Sequence, residues 1–272
     1  MKHLFVAESG NPQAETIVFL HGGGGGAWMW QPQMEQLTEY HCLAPDLPEH
    51  GQSAEVKPFT IAGCAAMIAE LIRARGLGGR AHLVGLSEGA QVVLALLASA
   101  PEVVDRAIVS SALVRPIPGA GLMTAGMVRA SARLFIDPFK EVDWWIRVNM
   151  KYSAGVPDSY YPQFRETFRS LTADGFTNVM MENQRFRLPA GLEKVQVPTL
   201  VVAGKGEYAA MRQSVSDVAR ALPRGRGFLV AHAQRMSLAE QHNWSMTTPE
   251  LFTAMVRAWL MDQPLPKALV AV

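Results

Sequence analysis

What this chain lacks narrows its identity first. It has only two cysteines in 272 residues, Cys42 and Cys64. Two thiols make no disulfide framework, and this pair is not a CxxC motif. No apolar run approaches the roughly 20 residues that a membrane-crossing helix needs. The opening MKHLFVAESGN holds an apolar stretch too short for the core of a secretory leader. A surplus of one charge is missing as well. The formal net charge is +1, and the lysines and arginines are scattered. That removes the basic stripe of a nucleic-acid binder and the basic patch of an anionic-membrane binder. Internal repeats and low-complexity linkers are absent too. The expectation is a cytoplasmic protein with neither a nucleic-acid nor a membrane partner. Its size suits one large domain, or one domain carrying an insertion.

What is present alternates. HLFVAE (3–8), TIVFL (16–20), HCLAP (41–45), AHLVGL (81–86), RAIVSSA (106–112), TLVVAG (199–204) and GFLVAH (227–232) are short apolar runs. They are rich in β-branched residues, as strands buried on both faces are. Helical periodicity fills the gaps at 60–76, 88–100, 208–222 and 249–260, the first opening on a Thr N-cap. Strands alternating with helices predict an α/β fold with a mostly parallel sheet.

One interval breaks the alternation. Residues 114–196 show no clear strand and three helical stretches, and they hold half of the aromatic side chains. The expected organisation is a core of residues 1–113 and 197–272 with a helical cap at 114–196. Most of those aromatics serve the insert's own packing. Trp144 and Trp145, with Trp28 outside the insert, are expected to line a substrate pocket under it.

The sharpest local signal is GLSEG, residues 85–89, directly after a strand and directly before a helix. In that context Gly-x-Ser-x-Gly is a nucleophile elbow. The turn is too tight for bulk two residues before or after Ser87. The serine is strained so that Oγ stands at the strand's carboxyl end, and the helix N-terminus offers free N–H groups to a developing oxyanion. The Glu88 side chain, opening that helix, is expected to favour its dipole. FLHGGGGGAWMW (19–30) follows another strand. Gly22-x-Gly24-x-x-Ala27 formally matches a dinucleotide loop, with Asp46 at the right distance for the ribose. His21 before the glycines, and Trp28 and Trp30 after them, fit that rival poorly, and it leaves GLSEG without a role. PDLPEHGQS (45–53) is a turn-rich loop in which Asp46 and His50 are expected to hold backbone rather than act.

HGGGGG, DLPEHGQS and GLSEGA, in this order, resemble the α/β-hydrolase superfamily, and the resemblance spans nearly the whole chain. Glu49 stands where the second motif usually has glycine. The resemblance implies about seven strands here, with the usual first one missing, and a cap after the sixth strand of the family's numbering. It also implies a triad in the chain order Ser, Asp or Glu, His. The turn after TLVVAG, GKGEY, offers Glu207 as the acid; Asp217 lies too deep in the next helix. The base comes from the loop after GFLVAH, where His232 and His242 compete. His242 is favoured: a strand-end histidine is less free to lean over the serine. His3, His41 and His82 flank strands and read as structural. The Glu88 backbone N–H and that of a loop glycine, Gly23 or Gly24, would hold the oxyanion.

The implied activity is hydrolysis of a small-molecule carboxylic ester through a Ser-His-Glu triad and an acyl-enzyme, with no cofactor and no metal. C–C bond hydrolases, lactonases, perhydrolases and hydroxynitrile lyases share the scaffold, and a slow-turnover ligand receptor is the reading from another class.

Overall fold

The computed structural model describes residues 3–116, 119, 122–232 and 235–272. Among these, eight strands form one sheet: β1 Val6–Gly10, β2 Thr16–Leu20, β3 His41–Pro45, β4 Ala81–Leu86, β5 Val104–Ser110, β6 Thr199–Gly204, β7 Gly225–Val230 and β8 Leu269–Ala271. The spatial order is β1-β3-β2-β4-β5-β6-β7-β8. The six strands from β3 to β7 run parallel, and β1 and β8 close the two edges antiparallel. The first seven are those expected from the sequence, shifted by a few residues at β1, β5 and β7. The eighth was not expected, because three residues near the chain end are too few for a period to show.

The strand interiors read as unbroken apolar runs because helices cover both faces. Helices lie at α1 Gln31–Gln36, α2 Ile61–Arg75, α3 Glu88–Ser99, α4 Ala125–Phe135, α5 Asp143–Val148, α6 Tyr161–Ser170 and α7 Ala173–Arg185. They continue with α8 Ala209–Ala221, α9 Leu238–His242, α10 Trp244–Thr247 and α11 Pro249–Leu260. Successive residues of β2 point to opposite faces. Val18 and Leu20 pack in the layer that holds α2, α3 and α8; Ile17 and Phe19 pack in the one that holds α1 and α11. Thr60 caps α2 as expected, its hydroxyl accepting from the Gly63 amide at 3.0 Å.

Between β5 and β6 the described residues form only helices, α4 to α7, with a π-turn at Asn149–Ala154 after α5. The last of the three helical stretches expected in the insert, QFRETFRSLTADGFTNVMMENQ (163–184), is not one helix. It is broken at Leu171, and Thr172 caps α7 by accepting from the Gly175 amide at 3.0 Å. Side chains pin α7 to the core. Asn178 donates to Glu49 at 2.9 Å, Glu182 accepts from the Ile61 amide at 2.8 Å, and Gln91 donates to the Asn183 carbonyl at 3.2 Å.

Strand register aligns the carboxyl ends. Leu20 lies opposite Gly85, Leu86 opposite Ser110, Ser110 opposite Val202, and Gly204 opposite Val230. The loops after β2, β4, β5, β6 and β7 therefore emerge side by side. The chain leaves β2 toward β3 on one side and β4 on the other, and such a reversal opens a crevice where ligands bind.

Candidate active site

Ser87 sits between β4 and α3 with φ +56° and ψ −113°. A non-glycine residue in this region is strained by roughly 1–3 kcal/mol. Its neighbours hold it there. The Ser87 amide donates to the Ser110 carbonyl at 2.8 Å. The flanking glycines are steric necessities: a Cβ on Gly85 would lie 2.5 Å from the Gly89 carbonyl oxygen, and one on Gly89 would strike the Leu20 and His21 carbonyls. Glu88 is the first residue of α3, so its amide has no acceptor within the helix.

The loop after β2 is braced by two buried histidines. His21 Nδ1 donates to the Gly22 carbonyl at 2.8 Å, and its Nε2 accepts from the Leu47 amide at 2.9 Å. His50 Nδ1 donates to the Pro48 carbonyl at 2.9 Å, and its Nε2 accepts from the Gly24 amide at 3.0 Å. Burial pushes His21 down to about 4 and His50 down to about 3, which keeps both neutral. Asp46 spans the same loops, accepting from the Ala27 amide at 2.6 Å and the Gln52 amide at 2.7 Å. Asp46 and His50 thus hold backbone, as expected. The Gly24 amide is already committed to His50, so of the two candidate glycines Gly23 is the one with its amide left to offer. Glu49, the departure from the family pattern, adopts φ +62° and accepts from the Phe59 amide as well as from Asn178.

Glu207 follows β6 and is 1% exposed. Its Oε1 accepts from the Ser111 hydroxyl at 2.7 Å and the Gly204 amide at 2.6 Å, and its Oε2 lies 2.8 Å from His242 Nδ1. It caps no helix. A carboxylate at Nδ1 selects the tautomer that leaves Nε2 as acceptor. His242 ends α9, a helix started by a Ser237–Glu240 capping box. Gln241 accepts from the Gly206 amide at 2.7 Å, and Trp244 donates to Ser110 Oγ at 3.1 Å, so both neighbours tie the segment to the sheet edge. Ser111 and Gln241 were missed by sequence reasoning. The paired glycines of GKGE were the available signal, since a Cβ on Gly206 would lie 2.6 Å from Gln241 Cδ.

His232 packs edge-on against Trp244 at 5.9 Å, and neither ring nitrogen has a hydrogen-bond partner among the described residues. Burial lowers its pKa. Of the stretch between the histidines, residues 233 and 234 lie outside the described residues. His3 is exposed at the start of the described chain; His41 donates through Nε2 to Glu8 and pairs through Nδ1 with the Thr16 hydroxyl, and His82 is buried beside Tyr40. Asp217 pairs with Arg115 on the surface of α8. Among the described residues no hydrogen bond joins Ser87 Oγ to either His232 or His242; such contacts commonly close only around substrate.

Two chambers meet at Ser87. One, about 180 Å³, includes Gly23, Trp28, Ser87, Phe164 and His242 in its lining. The other, about 260 Å³, includes Gly23, Ser87, Glu88, Phe176, Val179 and Met180. Trp28 therefore lies where it was expected, its Nε1 donating to Thr167 of α6 at 2.9 Å. Trp144 and Trp145 do not. Trp144 is 60% exposed on α5, and Trp145 packs inside the insert against Phe139; neither lines a chamber. Consecutive helical residues point about 100° apart, and only the far side of α5 turns toward the core, through Ile146. The insert's contribution comes instead from Phe164, from Ser153, Ala154 and Val156 at the π-turn, and from α7 with Leu171 before it. Glu88 opens α3 as expected, but it is 1% exposed, and burial pushes its carboxyl well above the usual carboxylate range, so the charge expected at the helix dipole is disfavoured.

Among the described residues no cluster of three His, Cys, Asp or Glu side chains is placed to hold a metal ion, and no helix is long and apolar enough to cross a membrane.

A strained serine at the crevice edge of a mostly parallel, helix-covered sheet defines the class: this is an α/β-hydrolase fold. The chain belongs to the alpha/beta hydrolase family, which it matches over residues 17–260. It is 30% identical over 271 residues to an AB hydrolase superfamily protein of Gibberella zeae, covering 95% of this chain and 84% of that one. It is 23% identical to Lipase 1 of Psychrobacter immobilis, over 93% of this chain and 81% of that one. In three dimensions it is similar to an enol-lactonase from Burkholderia xenovorans LB400, with TM-score 0.72, 21% identity and coverage of 95% and 96%.

Proposed function

We propose that the protein is a serine hydrolase that cleaves a carboxylic ester through Ser87, His242 and Glu207, with residues 114–196 acting as a cap over the site. The observation that carries this reading is the 2.8 Å contact between a buried Glu207 and His242, whose ring shares a chamber wall with the strained Ser87.

Ser87 Oγ adds to the ester carbonyl while His242 Nε2 takes its proton. The charge that forms on the carbonyl oxygen is met by the amides of Glu88 and Gly23. Glu207 keeps Nδ1 protonated and stabilises the imidazolium. Collapse breaks the bond to the alkoxy oxygen, which leaves with the proton from His242. Water then adds to the acyl-enzyme with the same base, releasing the acid and Ser87. No step calls for a cofactor. The likeness to Lipase 1 supports an ester as substrate; the likeness to the lactonase concerns the fold.

The test is a fluorophosphonate label together with burst kinetics on a p-nitrophenyl ester. Wild type should label at Ser87 and release a burst of nitrophenol, and Ser87→Ala should do neither. An unlabelled, burst-free wild type would reject the reading in favour of a non-enzymatic ligand binder.

A further inference from the structure

The second chamber contains a polar side chain that the triad does not use. Glu88 is 1% exposed, lines the chamber, and has no hydrogen-bond partner at either Oε1 or Oε2 among the described residues. Its carboxyl lies against the Gly23 backbone, so that a Cβ there would stand 2.7 Å from Oε2. Among the described residues no lysine or arginine lines this chamber. The other carboxyls nearby are occupied: Glu49 by Asn178 and the Phe59 amide, Glu182 by the Ile61 amide. Burial, with the charge of Glu182 adding to it, pushes the Glu88 carboxyl well above the usual carboxylate range and so favours the neutral acid. A neutral carboxyl carries an O–H, and a buried donor without an acceptor is disfavoured.

The position of His242 says which half of a substrate meets that donor. Ser87, Gly23 and Gly24 line both chambers, whereas His242 lines only the first. The leaving alcohol must take its proton from His242, so it lies in the first chamber. The acyl chain then runs into the second, past Glu88.

We propose that Glu88 is a specificity-determining residue for the acyl half of the substrate, its carboxyl O–H donating a hydrogen bond to an uncharged oxygen on the acyl chain. This rests on the reading of Ser87 and His242 as nucleophile and base. The substrate class is an ester whose acyl part carries an ether, hydroxyl or carbonyl oxygen amid apolar carbon. The apolar remainder of the chain meets Leu171, Phe176, Val179 and Met180. An acyl chain ending in a carboxylate is disfavoured, because it would enter a chamber that already holds Glu49 and offers no cation.

The experiment compares p-nitrophenyl heptanoate with esters in which one methylene at acyl position 4, 5 or 6 is replaced by oxygen, and with an ester of similar length ending in trimethylammonium. Each is assayed on wild type, Glu88→Gln and Glu88→Met. At one oxygen position wild type should show about a tenfold higher kcat/KM than with heptanoate, the size expected of one buried hydrogen bond. Glu88→Gln, which still donates through its amide, should keep part of that preference. Glu88→Met should level the two esters to within about twofold. Indifference of the wild type to the oxygen at every position would overturn the proposal, and so would a preference that survives in Glu88→Met. A marked preference for the trimethylammonium ester, lost in Glu88→Gln, would replace it with a cation site. If Glu88→Met does not fold, the wild-type ratio and the Glu88→Gln ratio still decide. Fluorophosphonate labelling of the same samples separates the two levels: labelled Ser87 without an oxygen preference sinks the role of Glu88 alone, and no labelling sinks the reading beneath it.

Discussion

The carboxyl edge of the sheet and the helices inserted between β5 and β6 are built differently. At the edge, β2, β4 and β6 are buried along their whole length, and each hands its loop to a fixed position through strand register. In the insert, Leu122, Met127, Leu134, Trp144 and Tyr152 stand more than half exposed, and contact with the core runs through α7 and a few residues of α5, α6 and the π-turn. Every residue of the proposed triad comes from the edge. The insert supplies walls. Chemistry that needs atoms held within a few tenths of an ångström sits on the part whose geometry is over-determined; the shape of the chambers is left to the part whose contacts are fewer.

The largest effect that can break this comparison concerns the two histidines of the edge. His242→Ala should lower kcat about 10⁴-fold, while His232→Ala, which loses only a ring contact with Trp244, should stay within about tenfold. Steady-state kinetics of both variants check it, and an equal loss in the two would dissolve the distinction between a base paired with Glu207 and a packed neighbour.

Next comes the bracing of the edge by neutral histidines. His21 and His50 have folded pKa values of about 4 and about 3, below the 6.5 they would show when unfolded. As pH falls through about 6.5, the unfolded chain takes up protons that the folded chain refuses, so stability is present above that pH and is lost below it. Each histidine contributes about 2 kcal/mol to the loss between pH of about 6.5 and 4.5. His50→Gln can still accept from Gly24, and its urea-unfolding stability should fall less steeply than wild type over that window. His21, Asp46 and Glu49 face His50 in both proteins, so the difference between them isolates the one side chain. Parallel curves would mean that His50 ionises without opening the loop.

The smallest effects separate insert residues that wall a chamber from those that do not. Phe164→Ala should change the relative kcat/KM for acetyl, butyryl and octanoyl esters of p-nitrophenol severalfold, because Phe164 lines the smaller chamber beside Trp28. Trp144→Ala should leave those ratios unchanged and shift stability by no more than about 0.5 kcal/mol, as an exposed site does. A chain-length effect at Trp144 would show that the insert closes further over substrate than its contacts here indicate.

Much of this was legible in the chain. Adjacency is enough to place Ser87: a strand run, two glycines four residues apart and a helix leave the backbone one tight path, and the observed φ of +56° is its consequence. The alternation of short apolar runs with 3.6-residue periods determined the sheet and its covering helices. The backbone-holding roles of Asp46 and His50 followed from the turn chemistry around them. The three residues of β8 were invisible because a pairing partner, not a pattern, makes them a strand.

What only the tertiary structure decided are matters of direction between segments far apart in sequence. GKGEY and AEQHNW are each unremarkable as sequence, and nothing local brings Glu207 to His242 rather than to His232; the Gln241–Gly206 and Trp244–Ser110 contacts do. The inward turn of Glu88 depends on Gly23 and on α7 passing over it. The outward face of Trp144 depends on which side of α5 meets the core. A sequence specifies such directions only through packing, because a single rotation about a helix axis or a loop hinge exchanges buried for exposed without altering one local preference.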